Sequence, residues 1–405
     1  MACINYYRGG TIIKSASVYT ESIDDIMLAV SELESQLKEK LTLLKNSVGI
    51  IQCDPEFIEA GIMELLYDTL KIPLTGGTTV SSATNEGIGG FMFSMLVLTS
   101  NEVDFVVSHT TDISKNYEKA IRSSVLAATS CSSKPLALAV MFPSITDNDS
   151  ISGDFYIDIM GEVCPDIPVF GTFSVDEDLG KFGRSMSVFN GSALQSELSY
   201  LLIFGDVKPR FFVGSAPKRS LLITTEMVVT RCENGIIQEI NDKLAANFFE
   251  SLELSKDGKL NKGIDFLPIL VSVKDKDGKS RTFVRAIIEL NSQGFAICRG
   301  NIPKGAVLSF ASLLKNDILQ ATKNVVLDIS KEDNINAALV FSCIIRQMNI
   351  GADLLRELSY IKDSLQDKVE FISSYSGGEI SPVTYNNEEI SQNSFHNYSI
   401  VACVL

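Results

Sequence analysis

Three times along this chain an apolar run leads into a stretch with helical spacing, and then into a shorter apolar run that stops at a glycine- and hydroxyl-rich turn. The first pass covers residues 48–53, 55–71 and 72–74 and ends on Gly76, Gly77, Thr78 and Thr79. The second covers 135–142, 152–163 and 167–170 and ends on Gly171 and Thr172; the third covers 337–345, 352–368 and 369–372 and ends on Gly377 and Gly378. Parallel strands need a crossover of this length, usually a helix, because no tight turn can join them. After each pass comes a polar turn and a further apolar run, at 91–99, 198–204 and 399–405. The pattern predicts an α/β protein of repeated strand-helix-strand-strand units in mixed sheets. Turns from related units should converge on one rim, where open α/β sheets commonly bind ligands.

An opening strand over 11–19 precedes a helix over 24–45, whose Ile26, Val30, Leu33, Leu37, Leu41 and Leu44 recur at spacings of three and four and form one apolar stripe. Between the second and third units the texture changes. Turn signals at Asn234-Gly235, Asp257-Gly258 and Asp277-Gly278 bracket strands over 223–232, 267–273 and 282–290, with a helix over 240–252 and further strands over 295–299 and 306–309. This is a β-rich insert. At 405 residues the chain exceeds the size at which single cores stop growing, so two fused portions are expected, 1–220 and 221–405, with the boundary near 217–222.

A formal charge of -15 opposes binding to phosphate backbones and anionic membrane surfaces, which select Lys- and Arg-rich faces. No run of about eighteen apolar residues is present, and a cytoplasmic protein without membrane insertion is expected. The eight cysteines lie far apart with no CxxC pair, several inside apolar runs (Cys53, Cys298, Cys403), where a thiol acts as a small buried hydrophobe rather than a zinc or disulfide ligand. Neither Walker spacing nor a GxGxxG turn after a strand is present, so no cofactor is expected.

These motifs resemble the FIST proteins, of the stand-alone bacterial type, with both the N-terminal and C-terminal FIST portions represented. In the N-terminal portion the likeness rests on residues 48–53, on Ile72, Pro73 and Leu74, on the turn from Gly76 to Thr79, on an acid-bearing turn from Gly171 to Asp176, and on Val188, Phe189, Asn190 and Gly191. In the C-terminal portion it rests on Phe341, Ser342, Cys343 and Arg346, on Glu357, on Gly378, Glu379, Ile380 and Pro382, and on Phe395, His396 and Asn397. Gly77 departs from it, standing where the family often has cysteine, and Val80, Ser81 and Ser82 follow Thr79 in place of an acid. The resemblance implies a sensory role: binding a small amino-acid-like or carboxylate ligand and passing its occupancy to a separate signalling protein, with a homodimer allowed.

Read from the residues, Arg346 at the end of an apolar strand must have a partner, either Glu357 or Glu379 in the fold or a ligand carboxylate. Glu379 follows two glycines that let a ligand approach the backbone, Tyr375 offers a hydroxyl or a ring face, and His396 with Asn397 offers an imidazole and an amide. Together with Cys343 and with Thr79 of the N-terminal turn, these form the expected ligand site. The alternative is an acyl transferase or hydrolase with Cys343 as nucleophile and His396 as base. A third reading is a scaffold that binds another protein and no small molecule.

Overall fold

In a computed structural model of the protein, residues 13–111, 113–145, 152–177, 184–220, 225–261, 267–274, 278, 280–384 and 392–405 are described. The three sequence units become three copies of one arrangement. Each has a first strand (Lys14–Thr20, Asp104–His109, Arg210–Ser215), a helix (Ile26–Lys40, Ile113–Thr129, Lys315–Ile329) and a central strand (Asn46–Cys53, Leu136–Pro143, Ala338–Cys343). A second helix (Ile62–Leu70, Gly153–Val163, Arg356–Leu365) then leads to a strand parallel to the central one (Leu74–Thr78, Val169–Thr172, Phe371–Ser376). A return strand (Phe93–Ser100, Leu198–Phe204, Ser399–Val404) runs antiparallel between the central and first strands.

Between the parallel and return strands, each unit sends out a hairpin that completes the sheet of another unit. Ser82–Thr84 of the first unit pairs with Phe371–Ser376 of the third, Ser187–Phe189 of the second with Leu74–Thr78 of the first, and Glu379–Val383 of the third with Val169–Thr172 of the second. The exchange is cyclic, so the three six-stranded sheets close into a triangular prism. Corresponding residues meet around its axis. Val175 donates its N–H to Thr78 O (3.0 Å) and Gly377 donates to Phe173 O (3.0 Å). At the third junction the Thr79 hydroxyl takes the place of the backbone donor, reaching Tyr375 O at 2.7 Å.

The inner faces of the sheets share one apolar core that includes Ile50, Leu96, Val140, Phe142, Phe341 and Val401. Their outer faces pack on helices, as Ile51, Met95 and Val97 do with Leu33, Leu37 and Leu66. Successive side chains of a strand point to opposite faces, and here both faces are buried. The strands therefore read as unbroken apolar runs rather than alternating ones. The helix Ile26–Lys40 carries the expected stripe inward (Val30, Leu33, Leu37) and is capped by Asp25, which accepts from Leu28 N at 3.0 Å.

The β-rich insert sits between the first strand and first helix of the third unit. Its strands Met227–Glu233, Ile236–Ile240, Ala296–Cys298, Ser280–Leu290, Leu267–Lys274 and Val307–Ser312 pair antiparallel in that order, and the last pairs back to the first, giving a closed barrel. Val229, Ile237, Phe249, Ile269 and Leu308 fill it. The helix expected over 240–252 is shorter, Ala245–Ser251, because Asn241 and Asp242 adopt left-handed φ values of 51° and 59° and turn the chain after a strand. The helix expected over 55–71 likewise divides at Gly61, φ 89°. The strand expected over 337–345 stops at Cys343, and Ile344–Ile350 is a short helix carrying Arg346.

Gly76 occupies a position that a side chain cannot. A Cβ there would lie 2.0 Å from Ile51 O, and its counterpart Gly171 would place one 2.1 Å from Met141 O. Gly76→Ala is expected to cost about 3 kcal/mol in urea unfolding. Gly161→Ala, in the helix Gly153–Val163 with nothing within 4 Å of the added carbon, should change stability by less than about 1 kcal/mol. Equal losses at the two sites would refute the close-packing explanation.

Candidate functional site

Arg346 is wholly buried, and its hydrogen-bonding groups are taken up by the protein. Nη2 donates to Glu357 Oε1 at 2.6 Å, to Thr322 Oγ1 at 2.9 Å and to Ile318 O at 3.1 Å; Nη1 donates to Tyr398 O and Nε to Glu357, each at 3.2 Å. Glu357, equally buried, also accepts from Thr322 Oγ1 and Ser342 Oγ. Of the three partners the sequence left open for this guanidinium, Glu357, Glu379 and a ligand carboxylate, the fold supplies Glu357. The network locks the helix Arg356–Leu365 to the central strand and to the helix Lys315–Ile329.

Tyr375 and Thr79 belong to the axial junction. Tyr375 is enclosed, donates its hydroxyl to Leu354 O (3.4 Å), and burial holds that hydroxyl well above the ordinary phenol range. The Thr79 hydroxyl is spent on Tyr375 O. Gly77, where the resemblance would put a cysteine, lies so close to Ser174 that a Cβ would fall 2.0 Å from its hydroxyl. Glu379 is buried beside Ser376, which donates to Oε1 at 2.5 Å, while Oε2 has no partner among the described residues. Burial raises this carboxyl well above the usual range, against the lowering effect of Ser376 and Arg346.

Cys343 and Asn397 do meet. They line a hollow of about 50 Å³ together with Gly377 and Gly378 of the third unit, Ile145 and Val175 of the second, and Ala286, Ile288 and Arg299 of the barrel. Its walls are chiefly apolar, and Arg299 brings the charge. Asn397 is 3% exposed; its Oδ1 accepts from Ala286 N (3.3 Å), and its Nδ2 has no hydrogen-bond partner among the described residues. A buried donor left unpaired is costly, and this one stands in the wall of the hollow. Arg299 was missed by the sequence reading. It follows the short barrel strand Ala296–Cys298, and nothing local ties that strand to the chain's last residues.

His396 faces a different hollow, of about 250 Å³, lined by the barrel residues Leu270, Thr282, Phe283 and Val284 and by Ser215, Asn397 and Ser399. Its Nε2 lies 3.0 Å from Ser381 O. Burial, reinforced by Arg285, lowers the imidazole to about 4. Cys343 is only 3% exposed, and burial raises its thiol far above the ordinary range, with Glu379 adding to the rise. Cys343 and His396 line separate cavities, and among the described residues no hydrogen bond joins them. The geometry therefore supplies no thiolate and no adjacent base for the nucleophile reading.

Both hollows lie on the seam between prism and barrel, and Arg285 of the barrel strand Ser280–Leu290 stitches that seam. It donates to Asp154 Oδ1 (3.2 Å) and Phe395 O (3.0 Å) and lies over the Phe283 ring at 4.5 Å. Asn301 N reaches the other oxygen of Asp154 at 2.7 Å. Five of the eight cysteines (Cys53, Cys164, Cys298, Cys343, Cys403) are buried, and the described residues hold no His, Cys, Asp and Glu cluster able to bind a metal. No described helix is long and apolar enough to cross a membrane.

The FIST N domain matches residues 47–243 and the FIST C domain matches residues 245–382. The chain belongs to the FIST family. FIST domains are known as sensory domains, and this protein carries the N and C domains in tandem. The end of the FIST N match and the start of the FIST C match both fall inside the barrel, so prism and barrel are each built from the two. No curated protein matches the chain. Among solved structures, the crystal structure of cyanuric acid hydrolase from A. caulinodans is similar over 97% of this chain and 98% of that one, at 9% identity and a TM-score of 0.35. A likeness of that strength carries no argument here.

Arg346→Ala in this FIST protein would strand Glu357 without its cation, and a loss of about 3 to 5 kcal/mol in chemical denaturation is expected. A variant as stable as the parent would show that the pair carries no structural load. For His396 the unfolded group titrates near 6.5 and the folded one near 4. Between those values the unfolded chain binds more protons, so the His396 contribution is present above about pH 6.5 and is lost as pH falls towards 4. His396→Gln should flatten that part of the stability profile, read from Tm against pH.

Proposed function

We propose that this FIST protein is a small-ligand sensor whose ligand is a short monocarboxylate, bound in the hollow beside Cys343 and Asn397 and reported to a separate partner protein. The observation that carries the reading is the unpaired Nδ2 of buried Asn397 in a wall that is otherwise apolar and has Arg299 at its charged end. A guanidinium holds a carboxylate through two parallel hydrogen bonds. The isoleucines favour a hydrocarbon body, and the amide meets a second acceptor atom. Among the described residues no carboxylate lines the hollow, so the ammonium of an amino acid would lack a counter-charge there. This narrows the amino-acid-like or carboxylate class to the carboxylates.

The seam gives such a ligand a way to be reported. It would touch the barrel through Ala286, Ile288 and Arg299 and the prism through Ile145, Ile344 and Gly377, so binding would favour one placement of barrel against prism over others.

Melting of the full chain with acetate, propionate, butyrate, glycine and alanine tests the reading. A monocarboxylate should raise Tm, by the equivalent of about 2.7 kcal/mol at a hundred times Kd. Arg299→Gln should abolish the rise without unfolding the chain. A flat panel, or a rise that survives in Arg299→Gln, would overturn it.

A further inference from the structure

We propose that the larger hollow beside His396 is a second ligand site, for a neutral polyhydroxylated molecule between glycerol and a pentose in size. The inference does not depend on the carboxylate reading. The hollow holds about 250 Å³ between the barrel strands Leu267–Lys274 and Ser280–Leu290 and the last hairpin of the chain, and among the described residues no charged side chain lines it. A charged ligand would have to be desolvated there without a counter-charge.

Its polar groups are specific in kind. Ser381 O, 3.0 Å from His396 Nε2, can only accept a hydrogen bond, so the ring carries its proton on Nε2. Nδ1 is then a lone-pair acceptor on a ring more than nine-tenths buried, in a side chain that lines the hollow. The Ser399 hydroxyl donates to Asn397 O (3.1 Å), and the Thr282 and Ser272 hydroxyls share a hydrogen bond of 3.0 Å, which leaves lone pairs to accept from a ligand. Ser215 is the cross-strand partner of Ser399 and lines the same space. Asn397, with its unpaired Nδ2, stands in the wall between this hollow and the first, and supplies a donor. Several acceptors, one amide donor and the apolar faces of Phe283 and Val284 suit a molecule with hydroxyl donors on one edge and C–H groups on the other.

The test titrates the full chain with glycerol, xylitol and D-ribose, following Tm and the 15N resonance of His396 Nδ1. At least one of the three should raise Tm saturably and move the Nδ1 resonance as it begins to accept a hydrogen bond. Thr282→Val, a substitution at an exposed position, should weaken that response about tenfold, while Arg299→Gln should leave it intact. A response in all three polyols too weak to saturate, one with Nδ1 unmoved, or one unchanged in Thr282→Val would overturn the proposal. A polyol response without a carboxylate response would remove only the earlier reading, and the converse would remove only this one.

Discussion

Each sheet of the prism ends in a hairpin borrowed from another unit, and that exchange fixes nearly everything else. A lone unit would leave its parallel strand with an open edge of unpaired N–H and C=O groups. Closing the ring removes those edges and sets the register at the axis, where Thr78, Phe173 and Tyr375 accept from Val175, Gly377 and the Thr79 hydroxyl. At the third junction Tyr375 N donates to Ser81 O (3.2 Å) while Tyr375 O is met by a side-chain hydroxyl, so the symmetry is approximate and the third-unit turn differs from the other two. That turn, Ser376 to Glu379, carries the glycines of the first hollow.

The barrel breaks the symmetry further. It is inserted in the third unit alone and leans over the rim beside that unit's turn, tied down by Arg285 to Asp154 and Phe395 O and by Ala286 N to Asn397. Apolar contact is modest there, a small cluster of Val284, Ala286 and Tyr398. A seam held by a few polar contacts over partly filled hollows costs less to shift than a packed core.

The units were legible because a strand buried on both faces is an unbroken apolar run, and because Gly76 and Gly171 are required where backbones nearly touch. The exchange of hairpins was not legible. Ser82–Thr84 and Ser187–Phe189 are three residues long, and nothing in such a segment names the sheet it joins. The candidate site was readable only in part. A polar residue at the end of a buried strand looks alike whether its partner is a ligand or another part of the fold, so Arg346 and Tyr375 stood beside Cys343 and Asn397 as equals. Coordinates separate them by their partners: Arg346 has a carboxylate, a hydroxyl and two carbonyls, whereas Asn397 has an amide nitrogen left over. Arg299 was out of reach because the barrel meets the chain's end only in three dimensions.

Asn397 also sets a condition on any two molecules that occupy the seam. Its Oδ1 is committed to Ala286 N, so the plane of the amide is anchored to the barrel, and under the two proposals the single Nδ2 group would serve both hollows. With two hydrogens on that nitrogen, one can turn to each side. A ligand acceptor on one side then fixes the amide and its barrel strand in an orientation that the other side must share. Occupancy of one hollow would change the free energy of filling the other, and by linkage the effect would be equal in both directions. If both hollows take ligands, Asn397 would be the residue through which they and the barrel are joined, and its amide hydrogens would make that coupling available.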